Sequence, residues 1–171
     1  LLPADYWRWY LMANAPESSD AAFTWEQFQT TINSDLANIL GNFVNRITRF
    51  TASRFESKVP QLTALGEAEK KLFAELAERL PRLTQMHEQM EYRKAAAETR
   101  ALWVAGNEYI TNAAPWTLFK TDPVAAANAV NISLNLCVFF AEIALPFMPN
   151  VAEKILAGFG LTANDAKWPE G

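Results

Sequence analysis

The fold is decided by the stretch Thr24–Phe50, which reads TWEQFQTTINSDLANILGNFVNRITRF. Apolar residues recur in it at steps of three and four, namely Phe28, Ile32, Leu36, Ile39, Phe43, Ile47 and Phe50. This spacing places them along one stripe of an α-helix about 25 residues long. Thr24 is a residue type that caps helix N-termini, so we expect the helix to begin directly after it.

Further helices are expected on both sides of this stretch, over Asp5–Met12, Leu65–Leu83, Tyr92–Thr111, Pro123–Ala144 and Val151–Ala157. Pro81 should kink or restart the helix that contains it. Asp122 as N-cap and Pro123 at the first helical position predict a clean helix start. Long helices with short connections predict an all-α fold, a helical bundle.

Composition excludes several classes of function. The chain has 171 residues, 50% of them hydrophobic, with one Cys, one His and a net charge of −4. A single thiol excludes an internal disulfide, and one His with one Cys leaves little from which to build a zinc site. The apolar stretch Ile132–Phe140 is shorter than the ~20 residues that cross a bilayer. We therefore expect an intracellular, cytoplasmic protein with no metal, no membrane partner and no catalytic residues of its own, His87 at the surface and Cys137 in the core.

A polar stripe runs beside the apolar one. Asn38, Asn42 and Arg46 stand four residues apart and share one helix face. Together, Asn38, Asn42, Asn45 and Gly41 cost this helix about 2–3 kcal/mol in propensity relative to Ala. The stripe is either an ordinary solvated face or a surface for base edges and phosphates, which amides and a guanidinium suit.

A second unusual feature is the sequence Ala113-Ala114-Pro115-Trp116 at a helix end. The indole of Trp116 either plugs the bundle or, held at a loop tip by Pro115, forms a stacking platform for an unpaired base. The two interpretations differ in the exposure of the ring.

Charge is unevenly distributed. Between Phe43 and Pro60, four basic residues face one acidic residue, which gives this segment a charge of +3 within an acidic chain. Arg49 and Arg54 in this segment are candidates for contacts with backbone phosphates.

Several motifs together resemble the carboxy-terminal part of the methionyl-tRNA synthetases. They are Leu2–Asp5 (LPAD), Leu40–Arg46 (LGNFVNR), Asn107–Ile110 (NEYI) leading to Ala114–Trp116 (APW), and Leu145–Pro149 (LPFMP). The resemblance covers nearly the whole chain. It implies a helical bundle of the class I anticodon-binding type over residues 24–160, preceded by a stem-contact remnant at 1–23 and followed by an extension at 161–171.

The resemblance also implies a function. Trp116, next to Pro115, would stack on an anticodon base, and Asn38, Asn42 and Arg46 would recognise the CAU anticodon of methionine tRNA. No cofactor is expected in this fragment; ATP and methionine would belong to a catalytic domain that the fragment lacks and would contact. Two alternatives stay open, a free-standing helical interaction module and the anticodon domain of a valine, isoleucine or leucine synthetase.

Overall fold

A computed structural model describes residues 2–17 and 20–169 of the chain. Within these ranges the regular structure is helical and contains no strand. The elements are α1 (Ala4–Ala13), α2 (Trp25–Thr31), a π-helix (Ile32–Gly41), α3 (Asn42–Arg54), α4 (Glu67–Glu88), α5 (Tyr92–Ala113), α6 (Pro115–Thr121), α7 (Pro123–Ala144) and α8 (Pro149–Ala157). The predicted all-α bundle is confirmed.

The first long helix runs without a break from Trp25 to Arg54 through α2, the π-helix and α3. It begins where the sequence predicted, because the Thr24 hydroxyl oxygen accepts a hydrogen bond from the Gln27 N–H at 3.1 Å. Such a bond satisfies one of the backbone donors that every helix N-terminus leaves unpaired.

The middle of this run departs from the prediction. In a π-helix each N–H bonds five residues back instead of four, as the Asn42 N–H does to the Ala37 carbonyl. The wider turn rotates less per residue, so residues four apart stay in line, and the buried ones are Phe28, Ile32, Leu36 and Leu40. Ile39, predicted for the core stripe, packs against the core but is only half-buried, and Leu40 takes the fully buried position.

Helix α7 is the central helix and packs against α3, α5, α6 and α8. The Asp122 carboxylate accepts a hydrogen bond from the Ala125 N–H at 3.0 Å, and Pro123 opens the helix, as predicted. Its length and hydropathy would also suit a membrane span, yet 56% of its most apolar 18-residue stretch is buried inside the bundle. Cys137 lies in this buried part, where burial raises the pKa of its thiol.

Helix α4 is continuous through Pro81, so the predicted kink or restart does not divide it. Proline removes the hydrogen bond to the carbonyl four residues back, which is that of Ala77. Both residues are exposed, so water can reach the carbonyl that the proline leaves without a backbone donor.

Helix α1 is tied to the far end of the chain by polar contacts. The carboxylate of Asp5, 1% exposed, accepts hydrogen bonds from the Val151 N–H at 2.7 Å and from Asn150 Nδ2 at 2.8 Å. Arg8 Nε donates to the Phe147 carbonyl at 2.8 Å. Asp5 thereby caps the first turn of α8 from a different helix.

The end of the chain folds back over α4. Trp168 Nε1 donates to Thr84 Oγ1 at 2.8 Å, and the His87 ring lies 5.1 Å from that of Phe147 and 5.2 Å from that of Trp168. The prediction that His87 lies at the surface is wrong. The ring is half-buried because Trp168 covers it. Burial lowers the pKa of His87, whose Nε2 has no hydrogen-bond partner in the described part of the chain.

Candidate nucleic-acid interface

The polar stripe lies on the exposed side of the first long helix. Asn38 is in the π-helix, Asn42 is the first residue of α3, and both side chains are exposed. Arg46, one turn further along α3, is half-buried. Both amides are thus free to meet a ligand from solvent.

The connection between α5 and α6 positions Trp116. Helix α5 ends at Ala113, and Ala114 adopts a left-handed conformation with φ 40° and ψ 58°. Pro115 then occupies the first position of α6, where its fixed φ and missing N–H are tolerated. The Ala114 carbonyl accepts the N–H groups of Thr117 at 2.9 Å and Leu118 at 3.1 Å, which closes the first turn of α6.

The prediction that Trp116 stands at a loop tip is wrong, because the chain resumes a helix at Pro115 and Trp116 is its second residue. The indole is half-buried and packs against the core, while Pro115 is buried. The ring therefore packs against the bundle and keeps part of its surface accessible, so its exposure alone does not choose between the two interpretations made from the sequence.

Arg46 and Trp116 meet in the folded chain. The Arg46 guanidinium carbon lies 4.5 Å from the centre of the Trp116 ring, within the range of a cation–π interaction. Phe50, one turn beyond Arg46, meets the same indole edge-on with ring centres 6.5 Å apart. Two features found separately in the sequence, the polar stripe and the Pro-Trp pair, thus form one surface.

An aromatic cluster that was not predicted from the sequence continues this surface. Phe119 lies 6.0 Å from Phe50 and 5.5 Å from Phe55, all in edge-on geometry. The Arg54 guanidinium lies 5.7 Å above the Phe119 ring, whereas Arg49 is exposed on α3. The available signal was the spacing of Trp116 and Phe119, since residues three apart share a helix face.

The chemistry available at this surface is recognition. Trp116 offers a partly exposed aromatic ring, over which the Arg46 guanidinium lies as a fixed positive charge. The two exposed amides offer donors and acceptors. No group of three or more His, Cys, Asp or Glu residues that could hold a metal ion occurs among residues 2–17 and 20–169.

The bundle and its surface define a class, the α-helical anticodon-binding domains of class I aminoacyl-tRNA synthetases. Residues 59–171 match a family model described as the anticodon binding domain of methionyl tRNA ligase. Residues 1–48 match a second, described as tRNA synthetases class I (M). The chain belongs to the methionyl-tRNA synthetase family, which replaces the two alternatives that the sequence left open.

Similar proteins include two methionine–tRNA ligases. That of Hyphomonas neptunium is 57% identical over 171 residues, which is all of this chain and 30% of the relative. That of Maricaulis maris is 56% identical over 98% of this chain and 29% of the relative. The chain thus spans about 30% of the length of these relatives.

A solved structure has the same fold. Mycobacterium tuberculosis methionyl-tRNA synthetase, in complex with methionyl-adenylate, superposes with a TM-score of 0.90 at 25% identity. The match covers 96% of this chain and 33% of that one. The candidate surface draws Asn38, Asn42 and Arg46 from the match over residues 1–48 and Trp116 from the match over residues 59–171.

Proposed function

We propose that this chain recognises the CAU anticodon of methionine tRNA, as the anticodon-binding part of a cytoplasmic methionine–tRNA ligase. The observation that carries the proposal is the Arg46–Trp116 pair, 4.5 Å apart, beside the exposed amides of Asn38 and Asn42. Proteins read single-stranded RNA loops by stacking unpaired bases on aromatic rings and by hydrogen-bonding their edges. The surface supplies both kinds of group.

Each residue has a defined part in the proposal. Trp116 stacks on one anticodon base, and Pro115 fixes the start of the helix that carries the indole. Asn38 and Asn42 bond base edges, because a side-chain amide both donates and accepts. Arg46 supplies a charged, planar donor set.

The positive segment contributes in a different way. Arg49 and Arg54 contact backbone phosphates in this proposal, which adds affinity without distinguishing one base from another. The joining of methionine to the tRNA, with ATP, is assigned to a catalytic domain of the parent enzyme, with which this chain would be in contact.

The test is the binding of anticodon stem-loop RNA to Trp116→Ala. Removal of an aromatic ring that stacks on a base costs about 1–3 kcal/mol of binding free energy. The affinity for a CAU stem-loop should therefore fall by roughly 5- to 150-fold. Titrations followed by calorimetry or fluorescence anisotropy measure the change.

The matched control is Trp25→Ala. Trp25 is 64% exposed, but it lies near Trp7 and Phe28 at the opposite end of the first long helix. This variant should bind the stem-loop as the unsubstituted chain does. If Trp116→Ala binds as tightly as the unsubstituted chain, Trp116 is not part of the site. If the unsubstituted chain does not prefer the CAU stem-loop over other stem-loops, the proposed function is wrong.

A further inference from the structure

The π-helix Ile32–Gly41 is an unusual element at the centre of the candidate surface. Most π-helical structure consists of single turns inserted into α-helices, often at functional sites, whereas this one spans ten residues. It carries Asn38 on its exposed side and ends one residue before Asn42.

Gly41, the last residue of the π-helix, lies where a side chain would not fit. A Cβ atom on Gly41 would lie 2.8 Å from the carbonyl oxygen of Leu36, closer than real Cβ atoms approach oxygen. The oxygen belongs to the backbone, so it cannot move aside as a flexible side chain would. The Leu36 carbonyl lies five residues before Gly41 and inside the π-helix, so a side chain at Gly41 would clash within this wide turn.

The inner side of the π-helix is held by the rest of the bundle. The Asp35 carboxylate accepts hydrogen bonds from Trp9 Nε1 at 3.1 Å and from Arg100 Nε at 2.7 Å. Leu36 and Leu40 are buried in the core. Because this face is fixed, a change in helical rotation has to appear on the exposed face, where Asn38 lies.

We propose that Gly41 is a positioning residue for RNA recognition: it permits the π-helix, and the π-helix sets the direction of the Asn38 amide relative to Asn42 and Arg46. The last wide turn, closed by the bond from the Asn42 N–H to the Ala37 carbonyl, encloses Asn38 and so fixes the angle between the two amides. This inference rests on the proposed function.

The test combines Gly41→Ala with Asn38→Ala and measures affinity for the CAU stem-loop and for stem-loops with one anticodon base replaced. Asn38→Ala and Gly41→Ala should each weaken CAU binding about tenfold, by loss of one base-edge contact. The double variant should bind no more weakly than either single one, because the misdirected amide has already lost its contact. Trp116→Ala should keep its full effect in the Gly41→Ala background.

Two controls separate positioning from folding. Gly158→Ala makes the same substitution at the end of α8 and should bind as the unsubstituted chain. A variant with Ala37→Asn and Asn38→Ala keeps Gly41 and moves the amide by one exposed position. It should bind as weakly as Asn38→Ala, and this arm remains valid if Gly41→Ala fails to fold in circular dichroism.

Three results would contradict the proposal. The first is a double variant whose loss of affinity equals the sum of the two single losses in free energy. The others are a CAU affinity unchanged by Gly41→Ala, or unchanged in the variant with Ala37→Asn and Asn38→Ala. Failure of the proposed function has a different signature, because the unsubstituted chain would then bind CAU and altered stem-loops equally.

Discussion

At the scale of single residues, Gly106 determines how closely three helices approach. A Cβ atom on Gly106 would lie 2.5 Å from Cζ of Phe140 on α7 and 3.5 Å from Cε2 of Phe43 on α3. Both phenylalanines are completely buried, with ring centres 5.1 Å apart. The absence of a side chain at Gly106 is therefore what lets α5 pack directly on this aromatic pair.

Gly106→Ala should destabilise the fold although alanine is the better helix former. Overpacking of a filled core costs about 1–3 kcal/mol, which exceeds or cancels the ~1 kcal/mol gained from helix propensity. The measurement is the free energy of unfolding in urea. Ala97→Gly, at an exposed position of the same helix, calibrates the propensity contribution. An increase in stability of Gly106→Ala by the calibrated amount would show that the ring of Phe140 moves aside freely.

Single residues of the candidate site were predictable from the sequence to a limited extent. Residue type and spacing singled out Asn38, Asn42 and Trp116, because amides and a post-proline indole are unusual choices in a bundle. The contact of Arg46 with Trp116 was not predictable, since it joins residues far apart in the sequence and depends on how α3 and α6 pack. The assignment of these residues to RNA recognition stays a prediction.

At the scale of elements, helix ends were predicted better than helix interiors. The caps Thr24 and Asp122 act within three residues of themselves, so the local sequence determines them. The π-helix was not predicted because 3.6 residues per turn were assumed for the whole stretch. The four-residue spacing from Phe28 to Leu40 carried the signal for a wider turn.

Asp5 links two elements, and its replacement tests that link. Asp5→Ala would leave the Val151 N–H and the Asn150 amide without their acceptor in a buried place, at a cost of about 1–3 kcal/mol. Urea unfolding measures the loss, and hydrogen exchange should accelerate at the first turn of α8. Asp20→Ala removes an exposed carboxylate and should stay within about 0.5 kcal/mol of the unsubstituted chain. Unchanged exchange at Val151 in Asp5→Ala would contradict the capping role.

At the scale of the whole molecule, net charge was a poor guide to the partner. The total of −4 is the sum of a positive segment, which contains Arg46, Arg49 and Arg54, and an acidic remainder of the chain. RNA responds to the local charge of the surface that it touches, so an acidic protein can present a basic binding face.

The molecule should lose stability on mild acidification through His87. Burial lowers the pKa of His87 below 6.5, so the unfolded chain takes up the proton first as the pH falls. The unfolded state then binds more protons than the folded state, and the free energy of unfolding decreases from pH 6.5 downwards until the folded pKa is reached. Thermal or urea unfolding at closely spaced pH values between 8 and 5 measures the dependence.

His87→Gln is the control for this prediction. Glutamine does not titrate in this range, so the part of the slope near pH 6.5 should disappear even if the variant is less stable at every pH. A slope identical to that of the unsubstituted chain would assign the acid sensitivity to carboxylates instead.

The unbroken helical run from Trp25 to Arg54 has a mechanical consequence. Near one end Phe28 packs against Trp7 and Phe23, and towards the other Arg46 lies over the indole of Trp116. The run is therefore a rigid spacer, because the number of residues in it sets the distance between these two ends. Adding or removing a residue would shift and rotate one end of the helix relative to the other. The contact of Arg46 with Trp116 therefore requires a fixed helix length as much as it requires these two side chains.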